Sequence, residues 1–285
     1  MTETSRQAEA LGAGAVWATD HLFWGVPTVE CMTALTLVAA ATRRAAVGTC
    51  VLQLPLRSPA AVAKQASTLQ LLSGGRFVLG VGVGSHEGEY ALAGASFADR
   101  GRRLDEGIGA LRRAWSADVP GYRHEPSLPA PIWIGGSSPA ALRRAATTGD
   151  GWIPLFVGPE TMADAVAELR GAVVVAGRDP AAVVPGVVAV VSVGAEAERA
   201  AERGSAWLAS LYGIPAKAFA RHLVAGPAEQ CADEVGRYVR AGVAHAAVMI
   251  AGDDPLDQFA ALSASFLGRH APAEPAGSEL AGVGA

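Results

Sequence analysis

The chain has 285 residues, of which 51% are apolar and 18% charged, and its formal net charge is −4. This composition excludes an intrinsically disordered protein, because such chains lack the apolar residues that build a core. The negative charge excludes the basic surface that nucleic-acid binding requires.

The three cysteines, Cys31, Cys50 and Cys231, form no Cys-x-x-Cys pair, which indicates a reducing, cytoplasmic compartment. The polar start, Met1–Gln7, contains no apolar signal region. The longest uncharged stretch, Ala181–Ala195, is broken by Pro185. It is too short to span a bilayer, so we expect no membrane partner.

Seven short runs rich in β-branched residues are predicted to be strands. Most have apolar residues at consecutive positions, which is typical of strands buried on both faces of a parallel sheet. In chain order they are Ala15–Thr19, Ala46–Leu52, Phe77–Val83, Ile132–Gly135, Gly151–Leu155, Val187–Val193 and Ala246–Ala251.

The segments between these runs have helical spacing. Leu104, Ile108, Leu111 and Trp115, for example, share one face. Prolines mark helix starts, where a missing N–H costs no hydrogen bond, at Pro59, Pro139, Pro159 and Pro227. Strands that alternate with helices predict either an open doubly wound sheet or an eight-stranded barrel.

The barrel would need an eighth strand before Ala15, where Arg6–Leu11 is predicted to be the end of a helix. We therefore expect one TIM-type (β/α)8 barrel domain over residues 1–270 that lacks its first strand. Residues 271–285 are predicted to be a disordered tail. Free strand edges at Ala15 and Ala246 would favour poor solubility or an atypical oligomer, and we expect a homodimer.

Polar and aromatic side chains follow the first predicted strand. Asp20 and His21 stand at its C-terminal end, which in β/α folds faces the active site. His21 can donate a hydrogen bond or a proton near neutral pH, and Trp24 could wall a flat aromatic ligand. The equally weighted alternative is that Asp20 caps a loop and His21 is a structural polar residue.

A glycine- and serine-rich turn, Gly135-Gly136-Ser137-Ser138, leads from the fourth predicted strand into a helix. Its glycines let the backbone approach a ligand, its serines can donate hydrogen bonds, and free amides at a helix start attract an anion. The turn is therefore a candidate phosphate site. Taken alone, however, such a motif favours an ordinary turn before a capped helix over a phosphate site.

The third motif is Gly80–Gly84, which a polar loop is predicted to follow. It lacks the G-x-G-x-x-G spacing of a dinucleotide site. Tyr90 stands where a zinc motif that begins at His86 would need its second histidine, so no metal is predicted. His86, Glu87 and Glu89 are candidates for proton transfer, and a solvated charged loop is the alternative.

Taken in order, these segments resemble the luciferase-like monooxygenase superfamily, especially its branch that uses the deazaflavin coenzyme F420. The match covers about Ala10 to Gly252. It depends on Val16–Leu22, Thr42–Thr49, Ser58-Pro59, Ala63–Gln65, Leu72–Phe77, Gly80–Gly84, Arg100–Glu106, Pro131–Gly136 and Gly149–Trp152.

The resemblance implies a TIM-type barrel with the cofactor at its C-terminal mouth, and a non-prolyl cis peptide at Cys50–Val51 behind the flavin ring. The catalytic residues are then predicted to be His21, Trp24 and Glu89. The cofactor-binding residues are predicted to be Asp20, His21, Cys50, Val51, Gly82, Gly84, Gly135, Gly136, Ser137 and Ser138. Ser85 stands where some deazaflavin members have a proton-transferring acid, which argues against a sugar-phosphate dehydrogenase.

The leading hypothesis is hydride transfer between F420 and a small organic substrate, with His21 near the reacting atoms and a loop glutamate moving a proton. The alternatives are an FMN-dependent monooxygenase that uses O2, and a cofactor-binding protein that has lost catalysis. A barrel enzyme without flavin would need a lysine or an acid pair at strand ends, but the two lysines, Lys64 and Lys217, lie in helical context.

Overall fold

The computed structural model describes residues 1–116 and 128–270, so the tail predicted over 271–285 lies outside the described residues. The strands are β1 Ala15–Ala18, β2 Ala46–Thr49, β3 Leu52–Gln53, β4 Phe77–Gly82, β5 Ile132–Gly135, β6 Gly151–Ile153, β7 Val184–Val193, β8 Leu223–Gly226 and β9 His245–Ile250. The helices are α1 Thr2–Ala10, α2 Cys31–Ala41, α3 Pro59–Leu72, α4 Glu87–Leu92, α5 Arg100–Ser116, α6 Pro139–Thr148, α7 Pro159–Val175, α8 Ala197–Tyr212, α9 Ala228–Arg240 and α10 Pro255–His270.

The strands form one curled parallel sheet. Neighbours follow one another in the order β1-β2-β4-β5-β6-β7, and β9 pairs with β7 over Gly186–Val191. The short strand β3 continues β2 and pairs with β4, while β8 pairs with the end of β7. This α/β barrel architecture is the predicted fold class, and it brings the C-terminal ends of the strands to one mouth.

The barrel is open between β1 and β9. Within the described residues, β1 pairs with β2 alone and β9 with β7 alone. Side chains nevertheless meet across the opening, because Trp17 Nε1 donates a hydrogen bond of 3.0 Å to His245 Nε2. Burial lowers the pKa of His245, which favours the neutral ring that can accept this bond. The expected gap in the barrel is thus confirmed for the described residues.

Helix boundaries agree with the proline signals. Pro59, Pro139 and Pro159 each open a helix, whereas Pro227 is the N-cap residue of α9. The face predicted for α5 is buried at Leu104, Ile108 and Leu111, each of which is at most 1% exposed. None of the helices in the described residues combines the length and apolar character needed to cross a bilayer.

Three local predictions were wrong or incomplete. The strand predicted over Ala46–Leu52 is interrupted at Cys50–Val51. The loop predicted after Gly84 is the short helix α4, which buries Glu89 and Tyr90. Strand β8 was not predicted, because its four residues follow helical turns and carry too short an apolar pattern.

Candidate active site

A cavity of about 940 Å3 runs from the mouth of the barrel along the opening between β1 and β9 to α1 and α10. It brings together most of the predicted site residues, namely Asp20, His21, Trp24, Cys50, Val51, Gly82, Gly84, Gly135 and Gly136. Ser137 and Ser138 instead line a smaller neighbouring cavity of about 250 Å3 beside α6 and α7. Ser138 caps α6, because its Oγ accepts a 3.2 Å hydrogen bond from the Ala141 amide. The loop that follows β1, with Asp20 and His21, and the Gly135-Gly136 turn that follows β5 therefore line the same cavity.

The back of the cavity is a bulge between β2 and β3. The Cys50–Val51 peptide bond is cis, at the position that the resemblance implied. A Cβ atom on Gly82 would lie 2.6 Å from Val51 Cγ2, and one on Gly135 would lie 2.8 Å from both Val51 methyl groups. A Cβ atom on Gly80 would overlap the Thr49 carbonyl oxygen. These three glycines are needed because the bulge occupies the space that a side chain would fill.

Replacement of Gly82 by Ala should therefore destabilise the fold. We expect Gly82→Ala to lower the free energy of unfolding by about 1–3 kcal/mol, because Val51 is held in the bulge and cannot move away cheaply. Gly171→Ala is the matched control, since Gly171 lies in α7 and a Cβ atom there would meet no neighbour within 4 Å. That control should stabilise the fold by up to about 1 kcal/mol. Equal changes in the free energy of unfolding of the two variants, measured by urea unfolding, would contradict this account.

His21 and Glu89 form a pair at the mouth. Glu89 is fully buried on α4, and one of its oxygens lies 3.0 Å from His21 Nδ1. The carboxylate also accepts bonds from the Leu22 and Phe23 amides at 2.7 and 3.2 Å. Gln53 Nε2 donates to both carboxylate oxygens at 3.2–3.3 Å. Because Glu89 fixes Nδ1 as the protonated nitrogen, Nε2 is left for a ligand.

The hydrogen bonds to Glu89 keep it ionised. Burial alone would raise the pKa of Glu89, but the bonds from His21, the Phe23 amide and Gln53 outweigh it and lower the pKa. Gln53 was not predicted from the sequence, because a glutamine after an apolar strand carries no motif. Its role is visible only once the bulge turns it toward α4.

The lowered pKa of Glu89 predicts a pH dependence of stability. A carboxylate with a depressed folded pKa stabilises the fold above its unfolded pKa of about 4.3, and this contribution is lost as the pH falls through the folded pKa. We expect Glu89→Gln to unfold more easily than the wild type at pH 7 and to lose less stability between about pH 5 and pH 2. Glu87 lies on the exposed face of the same helix. Glu87→Gln should therefore keep the wild-type dependence of stability on pH, measured by urea unfolding at each pH.

Asp20 anchors the loop that carries His21. Its carboxylate is fully buried and accepts hydrogen bonds from Arg57 Nη2 at 2.6 Å and from the Gln53 amide at 2.9 Å. The Cys31 thiol lies 3.4 Å away, and burial raises the pKa of that thiol. Asp20, Glu30 and Cys31 are close enough to hold a metal ion, but the Arg57 guanidinium supplies the positive charge there. The predicted contact of Asp20 with a cofactor stays a prediction.

Trp24 covers His21. The two rings stack with centroids 3.8 Å apart and an interplanar angle of 26°. Tyr212 and His86 meet Trp24 edge-on at 6.0 and 5.6 Å, and Phe156 continues this aromatic wall at 5.8 Å from Tyr212. Tyr212 ends α8, far from Trp24 in sequence, so no local signal could have placed it here.

The family model of the luciferase-like monooxygenases matches residues 1–217 of the chain. This protein belongs to the luciferase-like monooxygenase family. Its sequence is 30% identical to the phthiodiolone/phenolphthiodiolone dimycocerosates ketoreductase of Mycobacterium tuberculosis over 266 residues, which covers 77% of this chain and 68% of that protein. An uncharacterised protein of the same species is 40% identical over 141 residues, and the match spans about half of its length (49%) and 45% of this chain.

Solved luciferase-like structures share the fold. The chain superposes on an F420-dependent secondary alcohol dehydrogenase, in complex with an F420–acetone adduct, with a TM-score of 0.82 and 20% identity over 93% of this chain and 92% of the other. A monooxygenase from Streptomyces bottropensis gives a TM-score of 0.77 and 20% identity, covering 93% and 91%. Luciferase-like proteins of both F420-dependent and monooxygenase type therefore have this architecture.

Proposed function

We propose that this luciferase-like protein transfers a hydride between coenzyme F420 and the carbonyl or alcohol carbon of a small organic substrate. The proposal rests on the single cavity that joins the His21–Glu89 pair to the Cys50–Val51 bulge and the Gly135-Gly136 turn.

The residues that line the cavity fit a cofactor that has a flavin-type ring and a phosphate group. The bulge at Cys50–Val51 would back the ring, and Gly82 makes room for Val51 in that bulge. Gly136 is exposed with φ of 104°, and the backbone of the Gly135-Gly136 turn would approach a phosphate ahead of α6, whose Ala141 amide is already bonded to Ser138 Oγ. When bound, F420 would supply or accept the hydride.

The protein's own groups would manage the proton. His21 Nε2 would hydrogen-bond to the substrate oxygen, donating a proton during carbonyl reduction and accepting one during alcohol oxidation. Glu89 would hold the His21 ring in place and stay a carboxylate, because His21, the Leu22 and Phe23 amides and Gln53 donate hydrogen bonds to it. From the sequence, a loop glutamate was expected to move the proton. In this proposal His21 moves it, and Glu89 positions His21. Trp24 would shield His21 from water.

Two likenesses support a carbonyl or secondary alcohol as the reacting group. The ketoreductase relative is similar over 77% of this chain, and its name states that it reduces a ketone. The alcohol dehydrogenase structure has the same fold. The second candidate is an FMN-dependent monooxygenase that uses O2. The likeness to the monooxygenase structure supports it.

Cofactor titration tests the proposal. We expect oxidised F420 to bind at least about tenfold more tightly than FMN, a difference of about 1.4 kcal/mol. We also expect a panel of secondary alcohols to reduce bound F420, seen as loss of its absorbance. Tight binding of FMN with no binding of F420 would reverse the order of the two candidates. Binding of F420 without turnover of any alcohol or ketone would instead support a cofactor-binding protein.

A further inference from the structure

Tyr212 is the last residue of α8, and its side chain lines the active-site cavity together with Trp24. The Tyr212 ring packs on Phe156 and Phe219, with centroids 5.8 and 5.6 Å away. Phe219 is itself buried, so it holds the Tyr212 ring in place. Tyr212 meets Trp24 at an interplanar angle of 83°. The two rings therefore form a fixed aromatic corner at the mouth of the cavity.

The hydroxyl group of Tyr212 is the polar part of this aromatic corner. Tyr90 and Tyr238 each donate a hydrogen bond from their hydroxyl groups to a backbone carbonyl oxygen. Within the described residues, the Tyr212 hydroxyl has no hydrogen-bond partner. Burial raises the pKa of Tyr212, and the Cys50 thiol on the bulge adds to this rise. The phenol is therefore protonated at neutral pH, close to the bulge, and able to donate a hydrogen bond to a ligand.

The cavity offers no positive side chain to a negatively charged substrate. Among the described residues that line it, none is a lysine or an arginine. Asp20 lines it as an anion whose charge is already balanced by Arg57 at 2.6 Å. The buried carboxylate of Glu89 lies behind His21. Burying a charge without a partner is costly, so the region beside His21 favours an uncharged substrate.

We propose that Tyr212 selects the substrate. Its hydroxyl donates a hydrogen bond to an acceptor oxygen on an uncharged ketone or secondary alcohol, whose flat ring packs against Trp24 and Tyr212. This inference rests on the proposed function, which places the reacting oxygen of the substrate at His21. His21 and Tyr212 both contact Trp24, at 3.8 and 6.0 Å, so a single small molecule can reach both. An aromatic ring fits because such rings favour stacked and edge-to-face contacts of this kind.

The test compares two ketones of equal shape. The meta and para isomers of (hydroxymethyl)acetophenone have an acceptor oxygen where the ethylacetophenones have a methyl group. Calorimetric titrations of the full chain are made without cofactor and again with F420. Tyr212→Phe keeps the ring, and we expect it to weaken the binding of at least one hydroxymethyl isomer about three- to tenfold. Its effect on the matching ethyl ketone should stay within about twofold.

The matched control for Tyr212→Phe is Tyr238→Phe. The Tyr238 hydroxyl bonds to the Val157 carbonyl oxygen at 2.8 Å, and Tyr238 does not line the cavity. Its loss should leave the binding of both ketones within about twofold of the wild type. A charged ligand gives a second arm. We expect the 4-acetylbenzoate anion to bind at least about tenfold more weakly than its uncharged methyl ester.

Three results would overturn the proposal. One is that Tyr212→Phe weakens the hydroxymethyl and ethyl ketones equally, or weakens neither. Another is binding of 4-acetylbenzoate as tight as that of its methyl ester. The third is that none of these ketones binds, with or without F420, even if the protein oxidises other secondary alcohols. The proposed hydride transfer fails in a different way, because a protein that shows the Tyr212-dependent preference but does not bind F420 would contradict that reaction alone.

Discussion

His21→Ala is expected to lower kcat for alcohol oxidation by about 10²–10⁴-fold, the usual contribution of a positioned general acid or base. F420 affinity should fall much less than kcat, because the bulge and the Gly135-Gly136 turn, which would hold most of the cofactor, lie on other strands. The large effect follows from geometry. His21 is the residue whose Nδ1 is fixed by buried Glu89 while its ring lines the cavity.

The matched control for His21→Ala is His86→Ala. His86 is a second histidine at the mouth, but it meets Trp24 edge-on at 5.6 Å and is exposed. Its loss should change kcat far less than the loss of His21. Steady-state assays of both variants at saturating F420, with F420 fluorescence titrations alongside, separate turnover from binding. Equal losses of kcat in the two variants would show that His21 has no special role.

The sequence predicted the parts of the site that depend on local pattern. The Asp20-His21 pair was located because polar residues at the end of a buried strand face the mouth of a β/α fold. The Cys50–Val51 cis peptide followed from the resemblance and is present. The parallel strands were found because short runs of consecutive apolar residues are typical of strands covered on both faces.

The missed features depend on contacts between distant segments. Glu89 was predicted to be a catalytic residue on a polar loop, yet it lies on a helix and is buried, and four donors from two other segments surround it. Gly82 was assigned to the cofactor site, and its absent side chain also makes space for Val51 from another strand. Neither property is encoded in neighbouring residues. Local pattern therefore predicts where the site lies better than how its members act on one another.

Asp20→Asn tests the anchor behind the site and should have the largest effect on stability. We expect it to lower the free energy of unfolding by about 3 kcal/mol, because it leaves the Arg57 guanidinium in a buried setting without its main negative partner. That value is at the lower end of the range for broken buried ion pairs. The reason is that 15% of the Arg57 side chain is exposed and Glu30 lies 3.3 Å from its Nη1 atom.

A double-mutant cycle separates loss of the ion pair from general damage. Arg57→Met should also destabilise the fold, but the double variant Asp20→Asn/Arg57→Met should be more stable than the sum of the single changes predicts, because neither charge is then left alone. Urea unfolding of the four proteins gives the coupling energy. Additive effects would mean that Asp20 acts through the Gln53 amide rather than through Arg57. In that case the loop that carries His21 would be held by its hydrogen bond to the bulge strand.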